Sequence, residues 1–576
     1  MKLLNDILNN LPEFGQLLAA MDSGRCPVAL SGLSAVHRAH FAAGVYARTG
    51  RPVVLVCADE GEGERLARDL ESLTGQRVPV LAPRSYIFHN AATVSRQWEH
   101  RRLALMRAMA AGEVPLLVAA VEGLLQRTLP PEELDRAWAE LRTGGSYDLN
   151  QLAETLTAAG YSRCDQVEGV GQFALRGGIL DVYSPGMEQP VRAEFFGDEL
   201  DAMGLFDPAT QRRTENVERA VLLPAAEALP HLAPGGTAGL AARLEKLAAG
   251  AEKAGRHELA QTLRQDREAL VQGRSFPATD RYLALIYPQL ATAADYLPPD
   301  ACVLFSESSR VGERAKTYQW QLEEDAKSLM ERGELDGSCA VLARTFPELN
   351  ARLSDWPTAY LDSFTLSAYP VPPGCLLSVT AKQLPSFGAS LETAVSDLDH
   401  YQRSGLGTLV LVSSEQRALN LQTLLREQGL RAAVEFQPQT LPGPGETLVS
   451  VGGLSAGMEY PEARLAVLTE GQGAALKKPR PRKAATNREK LKSYADLSPG
   501  DLVVHEHHGV GRYMGMVKLP ADGVEKDYVK IAYAGSDVLY VPATQLDLVS
   551  KYIGGGEDAA ETKKLSRLGG TDWEKA

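Results

Sequence analysis

Histidine is the residue type whose spacing in this sequence most suggests metal chemistry. His505, His507 and His508 fall within four residues of one another, and imidazole is a common ligand of zinc. Short clusters of this kind usually lie in loops, however, and no cysteine stands at ligand spacing from them. The cysteines are widely separated, at Cys26, Cys57, Cys164, Cys302, Cys339 and Cys375. We therefore expect no metal site and no disulfide framework, and this cysteine usage fits a reducing, cytoplasmic compartment.

Charged residues on predicted strands form the second set that could do chemistry, here by binding another protein. Alternation along a strand places Arg176 on the face opposite to Phe173 and Leu175, so we expect Arg176 to point outward. The planar guanidinium of arginine pairs bidentately with carboxylates. The simplest interpretation is that such residues are ordinary exposed strand positions. The members of this set are Arg163, Arg176, Arg192 and Glu194.

Length and charge limit the classes of protein that this chain can belong to. With 576 residues it exceeds the roughly 250–300 residues at which single cores stop growing, so several domains are expected. The net charge of −13 argues against a wide DNA-binding face, which would need many basic residues, and favours protein partners. No apolar run approaches the roughly 20 residues that a membrane-spanning helix needs.

Apolar periodicity predicts a multidomain α/β chain. The apolar runs 53–57 and 116–121 are typical of buried parallel strands, and Leu66, Leu70 and Leu73 mark one face of an intervening helix. Between residues 160 and 223, short strands broken by glycine turns predict an inserted α+β module. A long helix is predicted over 238–270, and strands are predicted at 301–305, 409–412 and 432–436.

The C-terminal part changes character after a basic stretch, 477–492, that we interpret as a solvated linker. Beyond it, short strands and glycine turns predict a small, strongly bent β-barrel, with one strand at 513–517 and Leu519 in the polar stretch after it. The predicted units are 1–132 and 226–370 (one α/β domain), 133–225 (the inserted module), 376–475 (a second α/β domain), 476–495 (the linker), 496–555 (the barrel) and 556–576 (a further linker).

Two segments carry a family resemblance. The stretches 173–185, 191–199 and 205–208 (FALRGGILDVYSP, VRAEFFGDE and LFDP) resemble the UvrA-binding module shared by UvrB and the bacterial transcription-repair coupling factors. The stretches 500–513, 528–533 and 539–542 (GDLVVHEHHGVGRY, YVKIAY and LYVP) are similar to the RNA-polymerase-interacting domain of those factors, a Tudor-like or SH3-like barrel. UvrB lacks such a barrel, so the two together point to the coupling factors.

The resemblance implies partners and contact residues. It implies that Arg163 and Arg176 bind UvrA, within a site made of Arg163, Phe173, Arg176, Arg192 and Glu194. UvrB has a further arginine where this sequence has Ala174. It also implies that the barrel binds the RNA polymerase β subunit near Leu519, by edge-to-edge strand pairing. The residues expected in that contact are Arg512, Tyr513, Val517 and Leu519.

A nucleotide site is the main point on which the sequence departs from UvrB. UvrB has a phosphate loop, G-x-x-x-x-G-K-[ST], in its first domain, and the corresponding place here is 32–39 (GLSAVHRA). After Gly32, the second glycine is replaced by His37, the lysine by Arg38 and the metal-binding hydroxyl by Ala39. We therefore expect no bound nucleotide, no cofactor and no catalytic residue in this chain.

The preferred interpretation is an adaptor for transcription-coupled repair. Residues 569–573 resemble the start of the segment that leads into the coupling factors' translocase motor, so we expect an N-terminal fragment without that motor. ATP, Mg²⁺ and most DNA contacts would then belong to the motor. Two alternatives stay open: a UvrB-like DNA-dependent ATPase or helicase, and a CarD-type polymerase regulator, which shares the barrel.

Overall fold

The fold is taken from a computed structural model. It describes residues 2–88, 96–274, 277–388, 391–471, 488–490, 500–505, 509–521, 524–533, 537–542 and 549–552. Within these residues, no helix is both long and apolar enough to cross a membrane.

The first domain is built on a sheet of seven parallel strands. Their spatial order is Cys375–Ser378, Val28–Ser31, Thr358–Leu361, Cys302–Ser306, Val53–Cys57, Leu116–Ala120 and Val80–Leu81. Central strands such as Val53–Cys57 are buried at every position, as a parallel sheet covered on both faces requires. The predicted strands at 53–57 and 116–121 are confirmed. The edge strand Cys375–Ser378 also belongs to this sheet. The second α/β domain, predicted to begin at residue 376, therefore begins later in the chain.

Helices cover both faces of this sheet. The longer ones are Pro12–Asp22, Ala35–Thr49, Glu60–Thr74, Gln97–Ala110, Gly236–Lys253, His257–Val271, Ser308–Glu331 and Phe346–Leu353. Shorter helical turns are Lys2–Asn10, Val121–Leu125, Pro131–Ala137, Pro230–Leu232, Pro277–Tyr282, Leu283–Ile286, Ala293–Tyr296 and Gly337–Cys339. The apolar face predicted from Leu66, Leu70 and Leu73 is buried. The single helix predicted over 238–270 is instead a helical hairpin, because Gly255 takes a positive φ of 73° that ends the first helix.

The inserted module has a six-stranded sheet and one helix, Leu149–Ala158. Its strands lie in the order Arg213–Asn216, Glu199–Phe206, Val191–Phe196, Ile179–Tyr183, Gln172–Arg176 and Ser162–Arg163. The chain enters along Ala139–Arg142 and leaves along Arg219–Leu222, and these two short strands pair antiparallel with each other. One face of the larger sheet packs on the helix through residues such as Leu152, Leu156 and Phe173.

Buried charges anchor the point where the module rejoins the first domain. Glu227 is fully buried and forms ion pairs with Arg84 at 3.1 Å and Arg102 at 3.2 Å. Arg84 also donates two hydrogen bonds to Asp280, at 2.7 and 2.9 Å. The backbone N–H of Glu227 donates to Glu99, whose pKa is raised by burial. Removing one partner of such a buried ion pair strongly destabilises the fold. The pairs therefore fix the position at which the chain re-enters the first domain.

The second α/β domain has a mixed six-stranded sheet. The strand order is Lys382–Leu384, Gly457–Tyr460, Leu465–Thr469, Gly407–Val412, Thr447–Val451 and Ala433–Val434. The helices Leu391–Arg403 and Glu415–Glu427 pack on one face of it. The strand predicted at 432–436 is reduced to two residues. On the other face, Leu409, Leu411 and Met458 share a continuous apolar core with the first domain.

Polar contacts join the two α/β domains beside that core. The His40 ring bonds the Tyr460 hydroxyl through Nδ1 and the Leu4 carbonyl through Nε2, each at 2.9 Å. His37 makes an edge-on contact with the Tyr460 ring, with ring centroids 5.1 Å apart. Asp69 accepts hydrogen bonds from the backbone N–H and the hydroxyl of Ser455, at 2.7 and 2.5 Å. These polar groups are shielded from water and bind one another instead, so the two domains form one packed unit.

The C-terminal unit is an antiparallel sheet of six strands. Their order is Arg488–Lys490, Val549–Tyr552, Leu502–His505, Gly509–Ala521, Val524–Ala532 and Val538–Pro542. A register shift beside Gly515, whose φ is 111°, bends the long strand. The sheet is an open half-barrel within the described residues, where its two outer strands are not paired with each other. Its core contains Val503, Tyr513, Val529, Ile531, Tyr533, Val541 and Val549.

Two expectations for this part of the chain are corrected. Residues 488–490 form a strand that pairs with Val549–Tyr552, although the sequence placed them in the linker. The strand predicted to end at residue 517 continues to Ala521, because a long hairpin pairs it with Val524–Ala532. Leu519 therefore lies within a strand, opposite Lys526, and not after it.

The buried histidines at the domain junction predict a loss of stability in mild acid. Burial lowers the pKa of His40 to about 4 and, as the largest cause, that of His37 to about 3, whereas an unfolded histidine titrates near about 6.5. Below that pH the unfolded chain binds protons that the folded chain does not. Stability is therefore complete above pH ~6.5 and falls as the pH drops toward the folded values.

Replacing His40 by glutamine, which keeps a donor and an acceptor, should reduce this effect. Between pH 6.5 and 5.5 we expect the free energy of unfolding of His40→Gln to fall by about 1 kcal/mol less than that of the unmodified protein. Urea unfolding at the two pH values measures it. His257→Gln, on an exposed helix end, is the control. Equal pH dependence in all three proteins would contradict the prediction.

Candidate functional site

The outer face of the module sheet is organised by one buried carboxylate, that of Asp181. It lies in the middle of the strand Ile179–Tyr183 and is fully buried. Arg192, directly opposite on the neighbouring strand, donates to both carboxylate oxygens at 2.7 and 2.8 Å. Arg176 donates to Oδ2 at 2.7 Å from the other side. Two guanidinium groups thus neutralise one desolvated charge.

Arg192 is held largely inside the module. Its guanidinium carbon lies 4.6 Å from the centre of the Phe206 ring, and Gln211 accepts from it at 3.3 Å. The hydrogen bond to Asp181, as the largest cause, raises the pKa of Arg192. Only 20% of the side chain is exposed. This predicted contact residue therefore positions its neighbours, and little of it is left to touch a partner.

Among the arginines predicted to contact UvrA, Arg176 and Arg163 are the two that are exposed. The Arg176 side chain is 51% exposed while its bond to Asp181 fixes its position. Arg163 is exposed on the short edge strand Ser162–Arg163. The two strands are neighbours in the sheet, and the parallel register pairs Arg163 with Phe173, so Arg163 lies at the exposed sheet edge on the side opposite to Arg176. Their guanidinium groups are available for carboxylates on another protein.

Phe173 and Glu194 differ from the expectation for contact residues. Phe173 has no exposed surface and belongs to the module core, so the prediction that it touches a partner is corrected. Its aromatic ring fills the space between sheet and helix. Glu194 is 45% exposed but is paired with Arg213 at 3.1 Å. Arg213 lies across Gly204, where a Cβ would be only 2.7 Å from the backbone carbonyl oxygen of Glu215, so a larger residue would force the backbone to shift.

Several residues of this face were missed by the sequence interpretation. Asp181 is one, although an aspartate in the middle of an apolar strand is itself a signal of a buried ion pair. Phe196 is 86% exposed and Ile179 is 38% exposed, and both stand beside the tight turns at the ends of their strands. Ala174, where UvrB has arginine, is enclosed by Val167 and Phe206. The face therefore offers apolar surface together with arginine.

The degenerate phosphate loop is closed by its own surroundings. The backbone N–H groups of Gly32 and Leu33 donate to the carbonyls of Ser363 and Asp362, at 3.2 and 3.1 Å. The carbonyl oxygen of Val379 stands over Gly32, at 2.0 Å from where a Cβ would be. These two loop amides are thus already bonded within the protein and are not available to a phosphate.

The three residues that replace the loop's functional groups are all buried. Arg38 is 4% exposed, donates to the Leu33 carbonyl at 3.0 Å and forms ion pairs with Glu307 and Glu62, the latter at 3.9 Å. Burial, the largest cause, lowers the pKa of Arg38, and the two carboxylates oppose this. His37 bonds the Ser34 hydroxyl at 2.7 Å. Ala39 is fully buried.

The C-terminal sheet separates the four residues expected to contact polymerase. Tyr513 is only 3% exposed and lies in the core, which corrects its prediction as a contact residue. Arg512 is half-buried and donates to the Gly500 carbonyl at 3.3 Å. Val517 is half-buried, opposite Tyr528. For Leu519 the structure describes the strand position and the pairing with Lys526, and its side chain lies outside the description.

The histidine cluster is only partly described. His505 is buried on the strand Leu502–His505, whereas His507 and His508 lie outside the described residues. In the part of the chain that is described, no group of three histidine, cysteine or acidic side chains could hold a metal ion.

Arg192→Ala should destabilise the module. The substitution leaves the fully buried Asp181 with Arg176 alone, and losing a partner of a buried charge costs about 3 kcal/mol. Urea unfolding measures the change. Arg213→Ala removes an ion pair that is partly exposed on both sides, so it should change stability by no more than about 1 kcal/mol. Similar effects of the two substitutions would contradict the role assigned to Asp181.

Comparison with known proteins gives two domain matches. Residues 139–227 match the UvrB interaction domain, and residues 497–553 match the CarD-like/TRCF RID domain. The first match begins and ends at the two strands through which the chain enters and leaves the inserted module. The second coincides with the C-terminal sheet.

Longer alignments link these domains. The chain is 31% identical to the transcription-repair-coupling factor of Bacillus subtilis (strain 168), covering 98% of this chain and 48% of that protein. It is 30% identical to that of Staphylococcus haemolyticus (strain JCSC1435), covering 100% and 49%. It is 28% identical to that of Staphylococcus aureus (strain MRSA252), covering 96% and 47%. The chain spans about half the length of the curated relatives it matches. Across nearly all of its residues, then, this chain is homologous to transcription-repair-coupling factors, and it carries both their UvrB interaction domain and their RID domain.

Proposed function

We propose that this chain is an adaptor in transcription-coupled DNA repair, which binds stalled RNA polymerase through its C-terminal sheet and recruits UvrA through its inserted module. The observation that carries the proposal is the presence of both matched domains, in this order, in one chain. The proposed place of action is the cytoplasm. Any ATP-driven translocation along DNA, with its ATP and Mg²⁺, is proposed to lie in a motor outside this chain.

The proposed UvrA contact is centred on Arg176 and Arg163. Arg176 is exposed yet fixed by Asp181, so little side-chain entropy is lost when it binds a carboxylate. The neighbouring apolar side chains of Ile179 and Phe196 supply surface that a partner would bury. A partner with acidic side chains around an apolar patch would complement this face.

The proposed polymerase contact is the long strand Gly509–Ala521. Its first residues pair with Leu502–His505 on one side, up to Arg512. Its other side pairs with Val524–Ala532 throughout. From Gly515 onward, no strand among the described residues pairs with the first side, and this is the edge to which we propose that a strand of the polymerase β subunit pairs.

The proposed adaptor role includes no nucleotide in the first domain. A Mg²⁺–phosphate group needs free loop amides, a flexible cation and a metal-binding hydroxyl. At 32–39 the amides of Gly32 and Leu33 are bonded to carbonyls, Arg38 is neutralised by carboxylates, and the hydroxyl position is Ala39. These features support the absence of ATPase activity from this chain.

Arg163→Ala/Arg176→Ala should weaken UvrA binding. If both arginines are central to the contact, the double substitution should cost about 2–4 kcal/mol of binding free energy, and the loss should shrink with added salt. Titration of UvrA by calorimetry measures it. The matched control is Arg142→Ala/Arg219→Ala, which removes two exposed arginines at the far end of the same module. Equal affinity of the double variant and the unmodified chain would contradict the site.

Leu519→Arg should weaken binding of the chain to RNA polymerase. A charge placed in a desolvated contact between paired strands should lower the affinity at least about tenfold. Binding of the β subunit is measured by surface plasmon resonance, with circular dichroism to check folding. Met514→Arg, at a position that is 50% exposed earlier on the same strand, is the control for an added charge. If Leu519→Arg bound like the unmodified chain, this strand segment would not be the contact.

A further inference from the structure

Glu307 has an unusual backbone for its residue type. It ends the strand Cys302–Ser306 and precedes the helix Ser308–Glu331, with φ at 57° in the left-handed region. A residue with a Cβ is strained there, which is why glycine usually takes such positions. The strained conformation aims the Glu307 side chain at the degenerate phosphate loop, where it contacts Arg38.

The carboxylate of Glu307 is bound as a phosphate oxygen would be. Its Oε1 accepts from the Ser363 backbone N–H at 3.1 Å, from the Ser363 hydroxyl, and from the Arg38 guanidinium. A backbone amide, a hydroxyl and a cation make up the donor set that phosphate-binding sites use. The site lies at the carboxyl ends of parallel strands, which is the ligand-binding edge of open α/β sheets.

The pocket around Arg38 has donor capacity beyond this bond. Arg38 is 4% exposed, and its Nε has no hydrogen-bond partner in the part of the chain that the structure describes. The same holds for Nε2 of His37, which is fully buried. Glu62, at 3.9 Å, forms a weaker contact with Arg38, and Asp362 acts on it electrostatically without a direct ion pair. Glu307 is therefore the group that fills the anion position.

We propose that Glu307 is an internal substitute for phosphate, which permanently fills an anion site retained in the first domain and thereby closes that site to nucleotides and other phosphate compounds. The proposal rests on the absence of nucleotide proposed above. It adds that the substitutions within the loop 32–39 are only part of the reason why no nucleotide binds there. Glu307 is the residue whose removal would reopen the site.

A comparable arrangement in the second α/β domain supports this interpretation. There Glu470 follows the parallel strand Leu465–Thr469 and accepts from the Ser413 backbone N–H at 2.8 Å. It also forms an ion pair with Arg417 at 2.6 Å, in the first turn of the helix Glu415–Glu427. In both domains, a glutamate of the protein takes the place of an anion at the ligand-binding edge of the sheet.

Two substitutions at Glu307 test the proposal, and both suit the left-handed backbone at this position. Glu307→Gly removes the carboxylate and suits the positive φ, and Glu307→Asn keeps an acceptor while removing the charge in a residue that tolerates this conformation. Either change leaves Arg38 buried without its main counter-ion. Glu313→Gln, on the exposed face of the same helix, is the control for a lost negative charge.

The probe is sulfate at 0–10 mM in a constant chloride background, with thermal unfolding as the readout. For both Glu307 variants we expect a saturable rise in melting temperature, of roughly 1–3 °C at about ten times the dissociation constant. The unmodified protein and Glu313→Gln should show no saturable rise. If neither Glu307 variant responds to sulfate, the inference is wrong.

A separate experiment distinguishes a failure of this inference from a failure of the proposed function. Millimolar Mg²⁺–ATP is added to the unmodified protein. An unchanged melting temperature is expected, because Glu307 occupies the site. A rise with ATP would contradict both the closed site and the proposed absence of nucleotide. A sulfate response missing from both variants, with no ATP effect, would overturn the role of Glu307 alone and leave the adaptor function standing.

Discussion

Glu227 is a fully buried carboxylate that Arg84 and Arg102 neutralise where the inserted module rejoins the first domain. A charge removed from water is strongly destabilising unless an opposite charge stands beside it. The same constraint recurs at Asp181, which fixes the arginines of the module face, and at Glu307, which binds Arg38 in the degenerate loop. In each case arginine and carboxylate come from segments far apart in sequence or on different strands. Pairing therefore specifies how those segments meet, which apolar packing alone would leave less well defined.

The two α/β domains act as a common base for the inserted module. Their shared apolar core and the contact of His40 with Tyr460 leave no hinge at this junction. The inserted module is held to the base by buried ion pairs, so its partner-binding face has a fixed orientation with respect to it. The module sheet in turn holds Arg176 in place through Asp181.

Sequence periodicity was sufficient to predict the central strands, because a strand buried on both faces reads as a short apolar run wherever it occurs. It also predicted that Arg176 points outward. It could not predict that the outer face of the module is itself partly covered, since Phe206 and Arg192 reach that face from other strands and bury Ala174. Tyr513 was misassigned for a related reason, as a tyrosine in a bent sheet can lie on either face. The strand at 488–490 was missed because its basic residues give no apolar signal, and the pairing that forms it comes from Val549–Tyr552.

The antiparallel pair formed by Ala139–Arg142 and Arg219–Leu222 brings the two ends of the module together at its base. A segment that begins and ends at one place can be gained or lost in a single genetic event without rerouting the host chain. Such a cassette could pass between unrelated scaffolds and bring a recruitment surface with it. The same closure makes it a natural unit for grafting, since a receiving protein need only offer one loop with closely spaced ends.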